Sequence, residues 1–497
     1  MKRKLLCSLW GILLIGCMAF FMQINAMADN ITIEDTENNV TYTLSEYVGG
    51  GYTANIEVGE GQTKLNVVTP VIDVEGNSYD IKNVAKISVS ETMEEITFGE
   101  GIEVINASYF SDFAGYDMTV NFPSTIRQID DGFVYAQGTY GNEPKVSTWL
   151  KNMAAENGVV YAGKVAIYVK EGVTNVFFKE DCTEIANGAA MGNKNITEVT
   201  INKSIKSIGG SAFSECTALN NVIFEEGTQI EDLDWRAFYD CRSLTVFHVP
   251  DSVTRIGTEV FAGCKSLETV NISKNSKLQL LEYGAFGYYP YVINLNDYGP
   301  NFGISVQGSL TPTNGAPIKE IYIPAAALHT YNTYSTAAGL FAGCTTLQKV
   351  TIGESDTKAT IPFEAFADCT SLETVELGGN ADNIQLGAFI GCTNLKSVNL
   401  YGVKTMLQFS FAKSGLTEIT IPESVEQIGS HSFMGCTNLI VMNYNAVNSI
   451  NYAGGTVKLL DILGLTSYYK GNYGYNIWDG SSQNSNPIRS AAQFRAM

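Results

Sequence analysis

One phrase returns along this chain and constrains its fold more than any other feature. Its fullest copy spans 244–267 and reads Leu-x-x-apolar-x-Val-Pro-x-Ser-Val-x-x-Ile-Gly-x-x-x-Phe-x-x-Cys-x-x-Leu. The signature Phe-x-x-Cys-x-x-Leu occurs at Phe213/Cys216/Leu219, Phe238/Cys241/Leu244, Phe261/Cys264/Leu267, Phe341/Cys344/Leu347, Phe366/Cys369/Leu372, Phe389/Cys392/Leu395 and Phe433/Cys436/Leu439. Successive cysteines lie 25, 23, 80, 25, 23 and 44 residues apart. The long gaps therefore hold two or more periods of about 20–29 residues. Such self-similarity predicts stacked units, each burying its apolar face only against its neighbours.

The strand part of the phrase, hydrophobic-x-x-apolar-x-apolar, is found about thirteen times between 93–98 and 439–444. Alternation along each short strand sends one residue inward and the next outward. Pro250 and Pro422 follow their strands and prevent further pairing. The Ile-Gly pairs at 256–257 and 428–429 turn the chain, with glycine adopting a backbone that other residues avoid. Phe then opens a short helical turn on which Phe, Cys and Leu share one inward face. The expected fold is an α/β repeat solenoid of about 23 residues per unit, each a strand, a turn and a short helical segment. Two units are degenerate: Ala190, Asn193 and Ile196 stand for Phe, Cys and Leu, and after Phe411 a Ser414 replaces the cysteine.

These residues resemble the BspA-type leucine-rich repeats of bacterial and protist surface proteins, over roughly 86–445. The resemblance implies a secreted or cell-surface adhesin, some members of the family being implicated in binding host extracellular-matrix proteins or other cells.

Outside the repeats, Lys2, Arg3 and Lys4 precede an apolar run over 5–22, and Ala26-Met27-Ala28 offers a small-x-small cleavage site. Residues 1–28 read as a secretory signal peptide. Leu14-Ile15-Gly16-Cys17 also resembles a lipoprotein box, which makes a lipid anchor on Cys17 the minor alternative. No later segment approaches the length of a membrane span. Residues 29–85 lack the phrase but alternate like strands around a Gly-Asn turn, and read as an N-terminal β-rich cap. The repeats occupy 86–445, with insertions near 134–166 and 287–316. In the first, Asn157 to Val165 reads as a β-hairpin with glycine at its turn. Residues 446–497 form a C-terminal cap and a Ser/Asn-rich tail.

Acidic residues exceed basic ones by twenty, a balance that repels polyanions and argues against nucleic-acid partners. The ladder cysteines and Cys182 form no C-x-x-C pair, so zinc ligation lacks its usual spacing. Stacked side chains point in parallel, whereas a disulfide needs them inclined towards each other. They read as reduced packing residues. His248, His329 and His431 are the only histidines, none at metal-binding spacing, and no Gly-x-Ser-x-Gly elbow is present. The chain is expected to be non-catalytic, without cofactor or metal. Asp73-x-Glu75-Gly76-Asn77 and Asn294-x-Asn296-Asp297-Tyr298-Gly299 cluster oxygen ligands, but neither follows the EF-hand pattern, and solvated turns are the expectation.

The remaining candidate is a surface. The outward strand residues Thr200, Ile223, His248, Asn271, Tyr322, Thr351, Glu376, Asn399, Thr420 and Asn443 would stack into one stripe, mostly neutral and rich in hydrogen-bonding groups. Such a stripe suits a protein or glycan ligand on host or other cells. The loop tyrosines Tyr288, Tyr289, Tyr291 and Tyr298 form a second candidate. The other reading is a structural cell-envelope protein that self-associates.

Overall fold

The computed structural model describes residues 30–36, 38–89, 92–106, 118–130, 148–287, 315–328, 338–354, 358–429, 431–444, 451–452 and 455–456. Residues 1–28, read above as a signal peptide, His329, the four loop tyrosines, the 294–299 cluster and the residues beyond 456 lie outside the described residues. The chain divides into two compact units, Met1–Ala154 with Tyr161–Val165, and Ala155–Val160 with Ala166–Met497. It winds about thirteen turns of β-solenoid.

In the first unit, three antiparallel strands, Ile31–Asp35, Val40–Glu46 and Tyr52–Val58, form a meander. The last of them then pairs in parallel with Ile81–Ser88. The same sheet continues through Val104–Asn106 to Gln128–Asp130, again in parallel. The meander thus covers the open end of a parallel stack, which would otherwise present unpaired backbone groups. Lys64–Val67 already pairs in parallel with Glu95–Phe98, so the ladder begins upstream of the recognisable phrase. Tyr42, Leu44, Ala54, Ile56, Leu65 and Ile96 are all buried in this unit.

The second unit carries two ladders. The expected hairpin forms as Val159–Ala162 and Val165–Val169, joined through Gly163 at φ 53°, with its turn residues Tyr161–Val165 counted in the first unit. One ladder runs from Glu184–Ile185 through Ser207–Ile208, Asp232–Leu233 and Arg255–Ile256 to Leu280–Leu281. It resumes at Ala359–Ile361 and ends at Gln427–Ile428. A 3₁₀ turn, Ala325–Leu328, packs between the two parts. The other ladder consists of the predicted repeat strands, from Asn175–Phe177 to Val441–Tyr444, which pair in parallel and in register within four short sheets.

The expected helical segment is absent. Among the described residues the only α-helix is Thr148–Asn152, outside the repeat phrase. Left-handed residues stand two positions before and after each phenylalanine: Arg236 and Asp240 around Phe238, Glu364 and Asp368 around Phe366, Gly387 and Gly391 around Phe389. Two such residues four positions apart cannot lie in a right-handed helix. The hydrogen bonds show what replaces it. Arg236, Phe238 and Asp240 donate their N–H groups to Thr258, Val260 and Ala262 on the next turn, at 2.8–3.1 Å. The intervening Ala237, Tyr239 and Cys241 donate three residues back within their own turn. Half of the donors a helix would consume therefore bind turn to turn, and the Phe–Cys segment becomes a third ladder.

The side chains of that ladder form the core. Phe213, Phe238, Phe261, Phe286, Phe341, Phe366, Phe389, Phe411 and Phe433 stack in one column, with centroids 4.9–5.9 Å apart and planes within 5–11°. Phe286 meets Phe341 directly, at 4.9 Å, so the second insertion does not interrupt the stack. It leaves the ladder within the Phe-x-x-Cys segment: Ala316 N–H donates to the Phe286 carbonyl at 3.0 Å, as each cysteine does to its own phenylalanine.

The Ile-Gly position also needs a different account. Neither Gly257 nor Gly429 has a left-handed backbone. Both are required because the preceding turn passes too close for a side chain: a Cβ on Gly257 would sit 2.9 Å from the Trp235 nitrogen, and one on Gly429 would overlap Gln408.

Candidate functional site

Every described cysteine is buried and reduced. Burial pushes the Cys182, Cys264 and Cys344 thiols up to about 12, and the remaining ladder thiols upward as well. A thiol held protonated is a poor nucleophile and metal ligand. Its hydrogen bonds were not foreseen from sequence. Cys241, Cys264, Cys369, Cys392 and Cys436 donate to the carbonyls of Phe213, Phe238, Phe341, Phe366 and Phe411 on the preceding turn, at 3.1–3.2 Å. Ser414, at the degenerate position, lies 3.3 Å from the Cys436 sulfur. The column of cysteines is structural.

The Asp73 turn likewise uses its own oxygens. The Asp73 carboxylate accepts bonds from the backbone of Glu75 and Asn77, the Asn77 amide and the Tyr79 hydroxyl at 2.8–2.9 Å. These donors, the Asn77 side chain foremost, hold its pKa below the usual carboxylate value. His431 stacks on Phe409 at 5.2 Å.

The face of the repeat strands is where polar side chains meet solvent in order. All ten residues of the stripe are exposed or half-buried. Register places Thr200 beside Ile223, His248 beside Asn271, Tyr322 beside Thr351 and Thr351 beside Glu376, and Thr420 beside Asn443. Neighbours bond across turns: Asn271 Nδ2 with His248 Nδ1 at 3.1 Å, Thr351 Oγ1 to Glu376 at 2.9 Å, Asn443 to Thr420 at 3.4 Å. Asn399 is the exception in backbone, because its segment forms no strand and its side chain accepts the Tyr401 N–H at 3.0 Å.

Two features of this face escaped the sequence reading. Phe177, 50% exposed, continues the stripe beside Thr200. A second outward column also flanks the first, two residues upstream on each strand, and includes Glu198, Asn221, Val246, Thr269, Glu320 and Lys349. Period-2 alternation contains this column, so the signal was present.

The face is not uniform. Thr269–Asn271 and Glu320–Ile323 are successive strands belonging to separate sheets, tied at their start by Lys319 N–H to the Glu268 carbonyl at 3.4 Å. An open groove of about 530 Å³ lies at this seam. Three stripe residues, Asn271, Tyr322 and Thr351, line it together with Glu268, Lys319 and Lys349. The ion pairs Lys319–Glu268 and Lys349–Glu376, both 2.7 Å, brace its rim. Tyr322 is turned along the surface, its hydroxyl end lying over Gly353, where any Cβ would overlap the phenol.

Comparison with known proteins fits this architecture. The profile described as BspA type leucine rich repeat region matches in six copies over residues 183–296 and 317–440. A leucine rich cell surface protein from Faecalibacterium prausnitzii is 17% identical, with a TM-score of 0.36 over 86% of this chain and 98% of that one. A leucine-rich repeat protein from Bacteroides ovatus is 20% identical, with a TM-score of 0.39 over 81% and 92%. The pneumococcal vaccine antigen PcpA is 17% identical, with a TM-score of 0.34 over 84% and 89%. No curated protein matches the sequence. Among the described residues no helix is long and apolar enough to cross a membrane.

Proposed function

Because the chain belongs to the BspA-type leucine-rich repeat proteins, a family with cell-surface members, we propose that it is an exported, non-catalytic recognition module for host, cell-surface or matrix macromolecules. The observation that carries this reading is the registered face of strands from Phe177 to Asn443, which keeps two columns of side chains in solvent over many turns. Parallel stacking holds neighbouring side chains about 4.8 Å apart on a rigid frame, so an extended partner meets a preorganised surface and little ordering entropy opposes binding. Leucine-rich repeat proteins generally bind proteins, and the mixed polar lining suits either a protein or its glycans. The pattern at 1–28 supports export, and the pairing of His248 with Asn271 and stacking of His431 on Phe409 support a non-catalytic role.

The test is a binding screen of the chain from residue 29 onward against matrix proteins, mucins and intact cells. Saturable binding is expected, with loss of about tenfold or more when His248, Tyr322 and Thr351 are replaced together by alanine. A flat result across the panel, with concentration-dependent assembly of the chain alone, supports instead a self-associating envelope protein.

A further inference from the structure

We propose that the seam groove between Thr269–Asn271 and Glu320–Ile323 binds a neutral saccharide unit, with Tyr322 as its stacking platform. This rests on the recognition reading above and names the ligand chemistry at one place on the face.

The lining selects against the other ligand classes. Glu268 and Glu320 face Lys319 and Lys349, two carboxylates against two ammonium groups, and Lys319 is paired with Glu268 while Lys349 is paired with Glu376. An anion would have to break those pairs, and a cation would find only Glu320 outside them, a single carboxylate. The apolar strand residues Val270 and Ile321 are buried beneath the groove, and what reaches the surface offers no apolar pocket of the kind that anchors a protein hot spot. What remains are donors and acceptors with spare capacity. Asn271 contacts His248 through Nδ2, which leaves its Oδ1 to accept from a ligand hydroxyl. Thr351 donates to Glu376 and retains lone pairs for a ligand donor.

Tyr322 supplies the second element of saccharide recognition. Its ring runs along the surface with the hydroxyl end over Gly353, and the residue stays half-exposed beside the groove. The electron-rich face of an aromatic ring attracts positively polarised groups, and the C–H face of a pyranose is one. A neutral, hydroxyl-bearing ring with a C–H face matches each of these groups in turn. The volume of about 530 Å³ falls within the range of small-ligand sites, roughly 300–1,000 Å³.

The chain from residue 29 onward is applied to an array of neutral hexose and N-acetylhexosamine oligosaccharides, and to a mucin before and after periodate cleavage of its vicinal diols. Binding to the array is expected, with affinity for the mucin falling about tenfold or more after periodate. Tyr322→Ala and Asn271→Ala, both at solvent-facing positions, should each lower array binding by a similar factor, while Lys265→Ala, exposed but outside both strand columns, should not. Unchanged thermal midpoints exclude unfolding as the cause. No array binding, or mucin binding indifferent to periodate, overturns the saccharide assignment. Protein binding that persists under those conditions would leave the recognition function standing.

Discussion

The Cys264 thiol donates a hydrogen bond to the carbonyl of Phe238, one turn earlier, at 3.1 Å. That carbonyl also accepts the N–H of Cys241 within its own turn. Each such oxygen is therefore shared between adjacent repeats, and the thiol joins them without leaving a polar group unsatisfied in the core. Alanine would fit the volume less well and lose the bond.

Protonated thiols in this column should be inert in the native protein. The eight described cysteines are expected to resist a disulfide reagent such as DTNB until denaturant is added, and rapid native labelling would contradict the ladder. The pH dependence follows. Burial raises Cys264 and Cys344 from an ordinary value of 9.0 to about 12, so above pH 9 the unfolded chain releases protons that the folded chain retains. The contribution of the ladder is complete below pH 9 and is lost as pH climbs towards 12. Urea midpoints measured from pH 8 to 11 should hold and then fall.

Two substitutions at backbone positions should act with opposite signs. Gly257→Ala drives a Cβ to 2.9 Å from the Trp235 nitrogen, and is expected to destabilise by about 1–3 kcal/mol. Glu215 holds φ at 59°, where a left-handed backbone costs an L-residue about 1–2 kcal/mol. Glu215→Gly relieves that cost but adds about 0.5–1 kcal/mol of unfolded-state freedom, for a net gain of up to about 1.5 kcal/mol. Chemical denaturation of both variants measures the two signs.

Deleting residues 288–314 should leave the solenoid folded. Joining Gly287 to Gly315 gives Phe286-Gly-Gly-Ala316, the spacing of every intact Phe-x-x-Cys. The turns on either side already bond directly, Gly284 N–H to the Ala338 carbonyl and Phe286 N–H to that of Leu340, both at 3.0 Å. Shortening the loop lowers its closure entropy, so stability is expected to hold or rise by up to about 2 kcal/mol. An unfolded deletion variant, read by circular dichroism, would show that the insertion supports the core.

Arg255 bridges three turns, reaching Asp232 at 2.8 Å, Asp234 at 3.1 Å and Glu282 at 2.8 Å. Its removal leaves three carboxylates together on a part-buried face. Arg255→Ala should destabilise by about 1–2 kcal/mol at low ionic strength, and less in 1 M salt as screening weakens the repulsion. Arg255→Lys should recover only part of the loss, since an ammonium cannot serve three partners in the guanidinium's planar geometry.

Much of this molecule is legible in its sequence. Alternation within Leu-x-x-Val-x-Val predicts which strand residues face solvent, and the recurrence of Phe, Cys and Leu predicts a continuous core. Local chemistry suffices for both, because a period of two and a repeat of about 23 residues leave few ways to bury the apolar positions. Three things are not local. The fate of the Phe–Cys segment depends on N–H groups that find acceptors on the next turn, and helical spacing gives no sign of it. The need for Gly257 arises from Trp235 on the preceding turn, not from its own backbone angles. The groove at Asn271 and Tyr322 exists because strands distant in sequence meet at a seam after an insertion closes. The sequence by itself determined that the chain stacks and which residues point inward. Tertiary structure decided how turns bond to one another and where the outer face opens, because those outcomes depend on distances between turns that no single repeat contains.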